Sequence, residues 1–394
     1  MADKLFFSRD VKVFIDDGTN SWTLPVLDGF SFSQATNTSE ITLNEMASST
    51  GVSRRGRQMF TDSYAPAEWS FSTYVRPFVS TTNTDAGTAD SAVKTHAVEE
   101  VLWANMTGTG LYGSYAFNQA TSGGQSGTAN WTNGDAAAGL TINWTKSNVT
   151  TLGTFDIYFL LSKDNGSSAA QLYKLSSCCV NEASVDFDID GIATINWSGM
   201  GQLITEVEGG VIPHLAASIT EGGTSANTSN FIRNRLTSLS MTAASSSLYP
   251  GVNSNGVYNA VLTGGNLTFS NNMTYLTPET LGIVNQPIGH VTGTRTIGGN
   301  FTCYLNSEAG STADLFEDII ENTDDVTNDF NLVFSIGGTT SATPRLIATL
   351  PNCHLEVPSH SMDDVISLEV NFHALPGAID SSDEASLKYL GTAL

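Results

Sequence analysis

The pattern of apolar and polar positions is most regular between Val26 and Arg76. That stretch opens Val26-Leu27-Asp28-Gly29-Phe30-Ser31-Phe32-Ser33-Gln34 and closes Trp69-Ser70-Phe71-Ser72-Thr73-Tyr74-Val75-Arg76. Both ends alternate apolar and hydroxyl residues, the period of a strand with one buried and one wet face. The polar excursion between them, through Ser53-Arg54-Arg55-Gly56-Arg57, has turn-formers and no helical period. It reads as a long loop, Ala35 to Ser63, joining two antiparallel strands. A weaker copy returns as Val261-Leu262-Thr263-Gly264-Gly265-Asn266-Leu267-Thr268-Phe269-Ser270, a loop, and Gly299-Asn300-Phe301-Thr302-Cys303-Tyr304-Leu305. An internal repeat constrains a fold more than any single element does.

Other elements follow the same order in both halves. Val11 to Ile15 is an opening strand. Ser91 to Met106 places Ala92, Val93, Ala97, Val101 and Leu102 near one helical stripe, and Thr312 to Asn322 turns Leu315, Phe316, Ile319 and Ile320 inward. Phe155–Leu161, Leu172–Val180, Ala183–Ile189 and Ile192–Trp197 read as strands, matched by Phe330–Ile336, Arg345–His354 and Val365–Phe372. Lys174-Leu175-Ser176-Ser177-Cys178 aligns with Thr349-Leu350-Pro351-Asn352-Cys353. The expected class is mainly β with a few helices (α+β), in two tandem units. The first covers 1–205, with an insertion at about 107–151. A Gly/Ser/Thr-rich linker at 206–230 precedes the second unit, 231–380. The tail, 381–394, reads as a mobile arm or a short helix around Ser382 to Leu390.

Charge changes the picture. Sixteen basic residues against 39 acidic ones give a net charge of -23. Affinity for nucleic acid comes mostly from Lys and Arg neutralising phosphates, so simple DNA binding is disfavoured. A surface that DNA passes without sticking fits. Asp186, Asp188 and Asp190 alternate with Val185, Phe187 and Ile189, which puts carboxylates on one strand face that must be wet or meet cations. Glu369 sits on the matching closing strand. Arg54, Arg55 and Arg57 form the one basic cluster and, with Leu43 and Met46, suit a contact on an acidic neighbour. That loop has too few apolar residues for its own core, so it is expected to order only on contact.

No catalytic spacing is present: no Walker loop, no Gly-x-Ser-x-Gly elbow, no His-Glu-x-x-His. The chain is not expected to be an enzyme. His354, His360 and Asp363 near Cys353 read as a loop rather than a metal site, and Asp16-Asp17-Gly18 and Asp324-Asp325 lack the ligand series of a calcium loop. No cofactor and no metal is expected. Cys178, Cys179, Cys303 and Cys353 read as buried thiols of a reducing compartment. No secretory signal is visible after Met1, and no apolar run is long enough to cross a bilayer.

The order strand, long loop, strand, helix, hairpin, final strand resembles the tail tube proteins of long-tailed bacteriophages, and the second unit resembles the duplicated siphophage form. The resemblance implies small β-sandwich or rolled-barrel units, each with a flanking helix, whose sheets join those of neighbours into an inner β-barrel. It implies stacked rings, pseudo-hexameric trimers here, forming the conduit for genome ejection. The partners it implies are further copies of the chain and the tail terminator, distal tail and tape measure proteins. Genomic DNA would pass the lumen without specific binding. Assembly would take place in the host cytoplasm and the product would reside in the virion tail, with no membrane partner. The alternatives are a capsid or tail-surface decoration protein, or a carbohydrate-binding adhesin with exposed Trp131 and Trp144 stacking on sugars.

Overall fold

The computed structural model describes residues 6–18, 21–41, 58–79, 95–107, 131–133, 138–144, 152–161, 171–209, 211–213, 230–243, 256–321, 330–338, 344–362, 364–379, 381 and 383–393. The chain is mainly β. The first half contains strands β1 (Val11–Asp16), β2 (Ser21–Leu24), β3 (Ser31–Glu40), β4 (Met59–Tyr74), β5 (Pro77–Val79) and β6 (Thr95–Ala97). Helix α1 (Glu100–Thr107) follows, then β7 (Trp131–Asn133), β8 (Leu140–Asn143), β9 (Phe155–Leu161), β10 (Gln171–Asp188), β11 (Thr194–Gly201) and β12 (Ile204–Glu206). The second half opens with β13 (Ser238–Ala243), β14 (Val257–Tyr258), β15 (Leu262–Ser270), β16 (Thr274–Leu276), β17 (Gly289–Val291) and β18 (Thr296–Tyr304). After helix α2 (Thr312–Glu321) come β19 (Phe330–Ile336), β20 (Arg345–Leu355), β21 (Ser359–Ser361), β22 (Ser367–Ala374), β23 (Ser386–Leu390) and β24 (Thr392–Ala393).

The alternating stretches pair as their period demands. β3 lies antiparallel to β4, β4 to β11, β11 to β10, β10 to β9, β9 to β1 and β1 to β2. The same succession recurs as β15, β18, β22, β20, β19, β13 and β14. Register is kept in detail. Leu175 faces Ile157 and Cys178 faces Phe155 across a bulge, as Leu350 faces Leu332 and Cys353 faces Phe330. The first bulge falls in the β9–β10 pairing and the second in the β19–β20 pairing, between Phe330 and Leu332. A bulge re-aims a strand, here from one sheet to another. Both thiols turn back on the carbonyl three residues earlier, Cys178 on Leu175 at 3.5 Å and Cys353 on Leu350 at 3.7 Å.

One position is filled in opposite ways. Trp69 of β4 faces Gly199 of β11, whereas Gly299 of β18 faces Phe372 of β22. A Cβ on Gly199 would lie 2.0 Å from the Cys179 carbonyl oxygen and 2.4 Å from Trp69 Cζ2, so only glycine leaves room for the indole.

The halves meet strand to strand. The second part of β10 pairs with β15, Ser184 opposite Thr268 and Val185 opposite Leu267. An unbroken eight-stranded sheet results, in the order β3-β4-β11-β10-β15-β18-β22-β21. Most of the remaining strands branch from it and cover its apolar face, while β16–β17 and β24–β5–β6 form two small separate sheets. Phe159 of β9 stacks on Phe30 and Phe32 at 5.6 and 4.5 Å, and Phe334 of β19 lies 5.4 Å from Phe372. Phe187 crosses the junction to Phe334 at 5.5 Å, so one core serves both halves. Among the described residues the pairings branch but never return on themselves. The barrel expected from the sequence is therefore absent from the single chain, where the sheet stays open.

The hairpin β16–β17 reaches back from the second half onto the first. Tyr275 donates its hydroxyl proton to the Ser177 carbonyl, and the Met273 amide donates to Asn181 Oδ1 at 2.9 Å. Beyond it, the Asn285 backbone bonds to Asp62 and Tyr64 of β4.

Several expectations are corrected. The loop from Ala35 to Ser63 is partly strand, since β3 runs to Glu40 and β4 begins at Met59. Leu172–Val180 and Ala183–Ile189 form one long strand, β10, kinked by bulges. The helix expected from Ser91 starts only at Glu100, because Thr95–Ala97 pairs with Pro77–Val79. The tail is neither helical nor unattached. β23 lies between β20 and β8 with Leu387 and Tyr389 buried. Trp144 is buried too, stacked on Phe269 at 4.9 Å and 7°, which removes it as a sugar platform.

Candidate functional site

The feature that stands out is the far face of the eight-stranded sheet. Period 2 sends Ala183, Val185 and Phe187 inward and leaves Glu182, Ser184, Asp186 and Asp188 on the other side. The neighbouring strands add Ser31 and Ser33, then Glu68, Ser70 and Ser72, then Thr194, Asn196 and Ser198. Across the junction come Asn266 and Thr268, Asn300 and Thr302, and Glu369, Asn371 and His373. From Cys179 to Asp188 of β10, and throughout the other seven strands, the sequence holds no lysine and no arginine.

Side chains on this face bond along rows that cross the strands. Ser72 Oγ donates to Asn196 Oδ1 at 2.7 Å, and Asn196 Nδ2 donates to Asp186 Oδ2 at 2.6 Å. Thr268 donates to Ser184 at 3.4 Å across the junction. Asn300 Nδ2 donates to Glu369 Oε1 at 2.8 Å. Glu356 takes Asn371 Nδ2 at 2.9 Å and His373 Nε2 at 3.0 Å, and the His373 hydrogen bond, then that of Asn371, hold its carboxyl below its ordinary range. Amide and hydroxyl partners hold the carboxylates in place without cancelling their charge. The result is an acidic surface.

Asp186 and Asp188 thus share a face, and Glu369 lies on the same face three strands away along the sheet order. Asp190 does not belong with them. It sits in the turn after β10, exposed, 3.8 Å from Arg235. Arg54, Arg55, Arg57, Leu43 and Met46 lie outside the described residues, as do Asp363, Asp324 and Asp325. His360 packs edge-on against Phe316 of α2 at 4.6 Å. Among the described residues no group of His, Cys, Asp or Glu could hold a metal ion, and no helix is long and apolar enough to cross a membrane. Burial pushes the Cys179, Cys303 and Cys353 thiols up to about 12, so they are inert apolar filling.

Sequence reasoning missed a second polar cluster, hidden beneath the tail. Glu99 is fully buried beside Arg76 and Tyr389, and Tyr389 accepts the Trp103 indole N–H at 2.6 Å. Burial raises the Glu99 carboxyl to about 7, although Tyr389 and the Arg76 guanidinium pull the other way. Next to it, Glu100 meets His96 at 3.1 Å and caps the Ala97 amide. The Glu-Glu pair at the start of α1 was the available signal.

The sequence resembles the tail tube proteins of long-tailed bacteriophages. The chain is similar to the tail tube protein pb6 of Escherichia phage T5, 29% identical over 390 residues that cover 97% of this chain and 75% of that protein. No family model matches the chain.

Proposed function

We propose that this chain is a structural virion protein that polymerises into stacked rings to form a phage tail tube, the conduit for genome ejection. Its two tandem units, about 1–205 and 231–380, would act as two subunits of a ring, so three copies complete a pseudo-sixfold trimer. The observation that carries the reading is the eight-stranded sheet with a face free of lysine and arginine and a single-sided strand at each end. Unpaired sheet edges aggregate unless a partner covers them, and head-to-tail closure into a cylinder covers them all. The acidic face would then line the lumen. A Debye length of about 8–10 Å leaves such charges in reach of DNA inside a narrow channel, repelling it from the wall. The similarity over 97% of the chain to a tail tube protein supports the same role.

Ring stacking would use the loop that carries Arg54, Arg55 and Arg57 with Leu43 and Met46, docked on the acidic surface of the next ring. The tail terminator, distal tail and tape measure proteins would meet the tube at its ends and within it. Electron micrographs of the purified protein test the proposal. Rings or tubes are expected, and particles that stay single at every concentration and salt would refute it.

A further inference from the structure

The sheet contains, at its centre, a template for its own ends. Inside the chain β10 and β15 pair antiparallel with Ser184 opposite Thr268, and Phe187 opposite Gly265. The recurring registers assign each residue of that junction a counterpart at a free end. Cys178 corresponds to Cys353, and both precede a return strand, so Ser184, opposite Asn196, corresponds to Ser359, opposite Glu369. On the other side Phe269, opposite Ile297, corresponds to Gln34, opposite Ala67, and Thr268 therefore corresponds to Ser33.

We infer that β21 of one copy pairs antiparallel with β3 of the next, in the register Ser359–Ser33, His360–Phe32 and Met362–Phe30. The inference rests on the tube reading and names the strands and register that close the ring.

Three observations support it. First, within the chain Phe187 is 1% exposed, buried against Phe334, whereas its counterpart Met362 is 73% exposed. The counterpart of Phe334 is Phe159, already stacked on Phe30 and Phe32. In the stated register Met362 lands beside Phe30 and finds the aromatic partner it lacks in the single chain. Val357, 61% exposed, lies at the start of the same edge. Second, residues 31–39 carry no charge and no proline, the devices by which isolated proteins guard an edge strand. Third, the edges differ from each other, so the contact joins unlike surfaces head to tail and closes into a ring rather than a twofold pair.

Cysteine pairs test the register. Directly opposed residues of an antiparallel pair have Cα atoms about 4.5–5.5 Å apart, within the range a disulfide spans. A chain carrying Ser33→Cys and Ser359→Cys, assembled and mildly oxidised, is expected to give covalent dimers and trimers on a non-reducing gel. The four native thiols are buried, and each single substitution serves as a control. The slipped pair, Ser31→Cys with Ser359→Cys, is about 7–8 Å apart at the diagonal and is expected to give none. Tubes in micrographs without in-register dimers, or with the slipped pair joined instead, would overturn the pairing and leave the tube reading standing. Failure of the unmodified protein to assemble at all would sink both. Met362→Asp is expected to abolish assembly while the circular dichroism and melting temperature of the monomer stay those of the parent. Normal assembly by that variant would count against the inferred burial of Met362.

Discussion

Glu99 offers a test that depends on a single proton. Its carboxyl titrates in the unfolded chain near the ordinary 4.5 and in the folded chain at about 7. Raised in the fold, it stabilises most where it is protonated in both states, below about pH 4.5, and that contribution is lost as pH rises through 7. Above that pH the fold must carry a fully buried carboxylate, partly compensated by Arg76. The difference between the two pKa values corresponds to about 3 kcal/mol. Replacing Glu99 with Gln keeps the shape and removes the titration. At pH 4 parent and variant are expected to melt together. At pH 8 the variant is expected to be more stable by up to that amount, which is several degrees in melting temperature. Melts followed by circular dichroism between pH 4 and 9 provide the measurement, and other carboxylates cancel because only the difference between the two proteins is read. A difference that stays constant with pH, or a variant less stable at pH 8, would refute the argument.

Two other substitutions address the sheet. Gly199→Ala sets a methyl against a backbone carbonyl and the Trp69 ring, an overpacking expected to cost about 1–3 kcal/mol in chemical denaturation. Ser198→Ala, on the wet face next to it, is expected to change stability little, and equal effects would contradict the packing account. Asp186→Lys combined with Glu369→Lys places cations on the acidic face; assembled tubes of the double variant are expected to retain duplex DNA at low salt and release it as salt rises. Unchanged DNA retention would mean that this face does not line the lumen.

What was legible in the sequence was the period-2 signal. Phe30 to Gln34, Trp69 to Tyr74 and Leu262 to Ser270 alternate because one face packs and the other is wet, and they pair as that alternation requires. The marks shared by Cys178 and Cys353 fell on the same bulge for the same reason, since a thiol that turns back on the preceding carbonyl fits where the strand changes sheet. Where the reading failed, the deciding partner was far away in sequence. Thr95-His96-Ala97 fits a helical stripe, but the edge of Pro77–Val79 captures it as strand. Trp144 looked exposed within a Gly- and Asn-rich stretch, yet Phe269 and Trp103 enclose it from more than one side. Ala385, Leu387 and Tyr389 do alternate, but the good helix-formers around them masked a strand whose two neighbours lie in different halves. The acidic alternation was visible at Asp186 and Asp188, whereas the turn that removes Asp190 from the row was not.

The position of β23 also bears on the order of events during synthesis. It bridges Leu140–Asn143 on one side and Arg345–Thr349 on the other. Neither strand can cover that edge until residues 386–390 have left the ribosome. The early half of the nascent chain therefore waits, with Trp103 lacking its Tyr389 partner, for a residue made 286 positions later. Contacts so distant along the chain slow folding. They also mean that a chain stopped short lacks the strand that locks its two halves together.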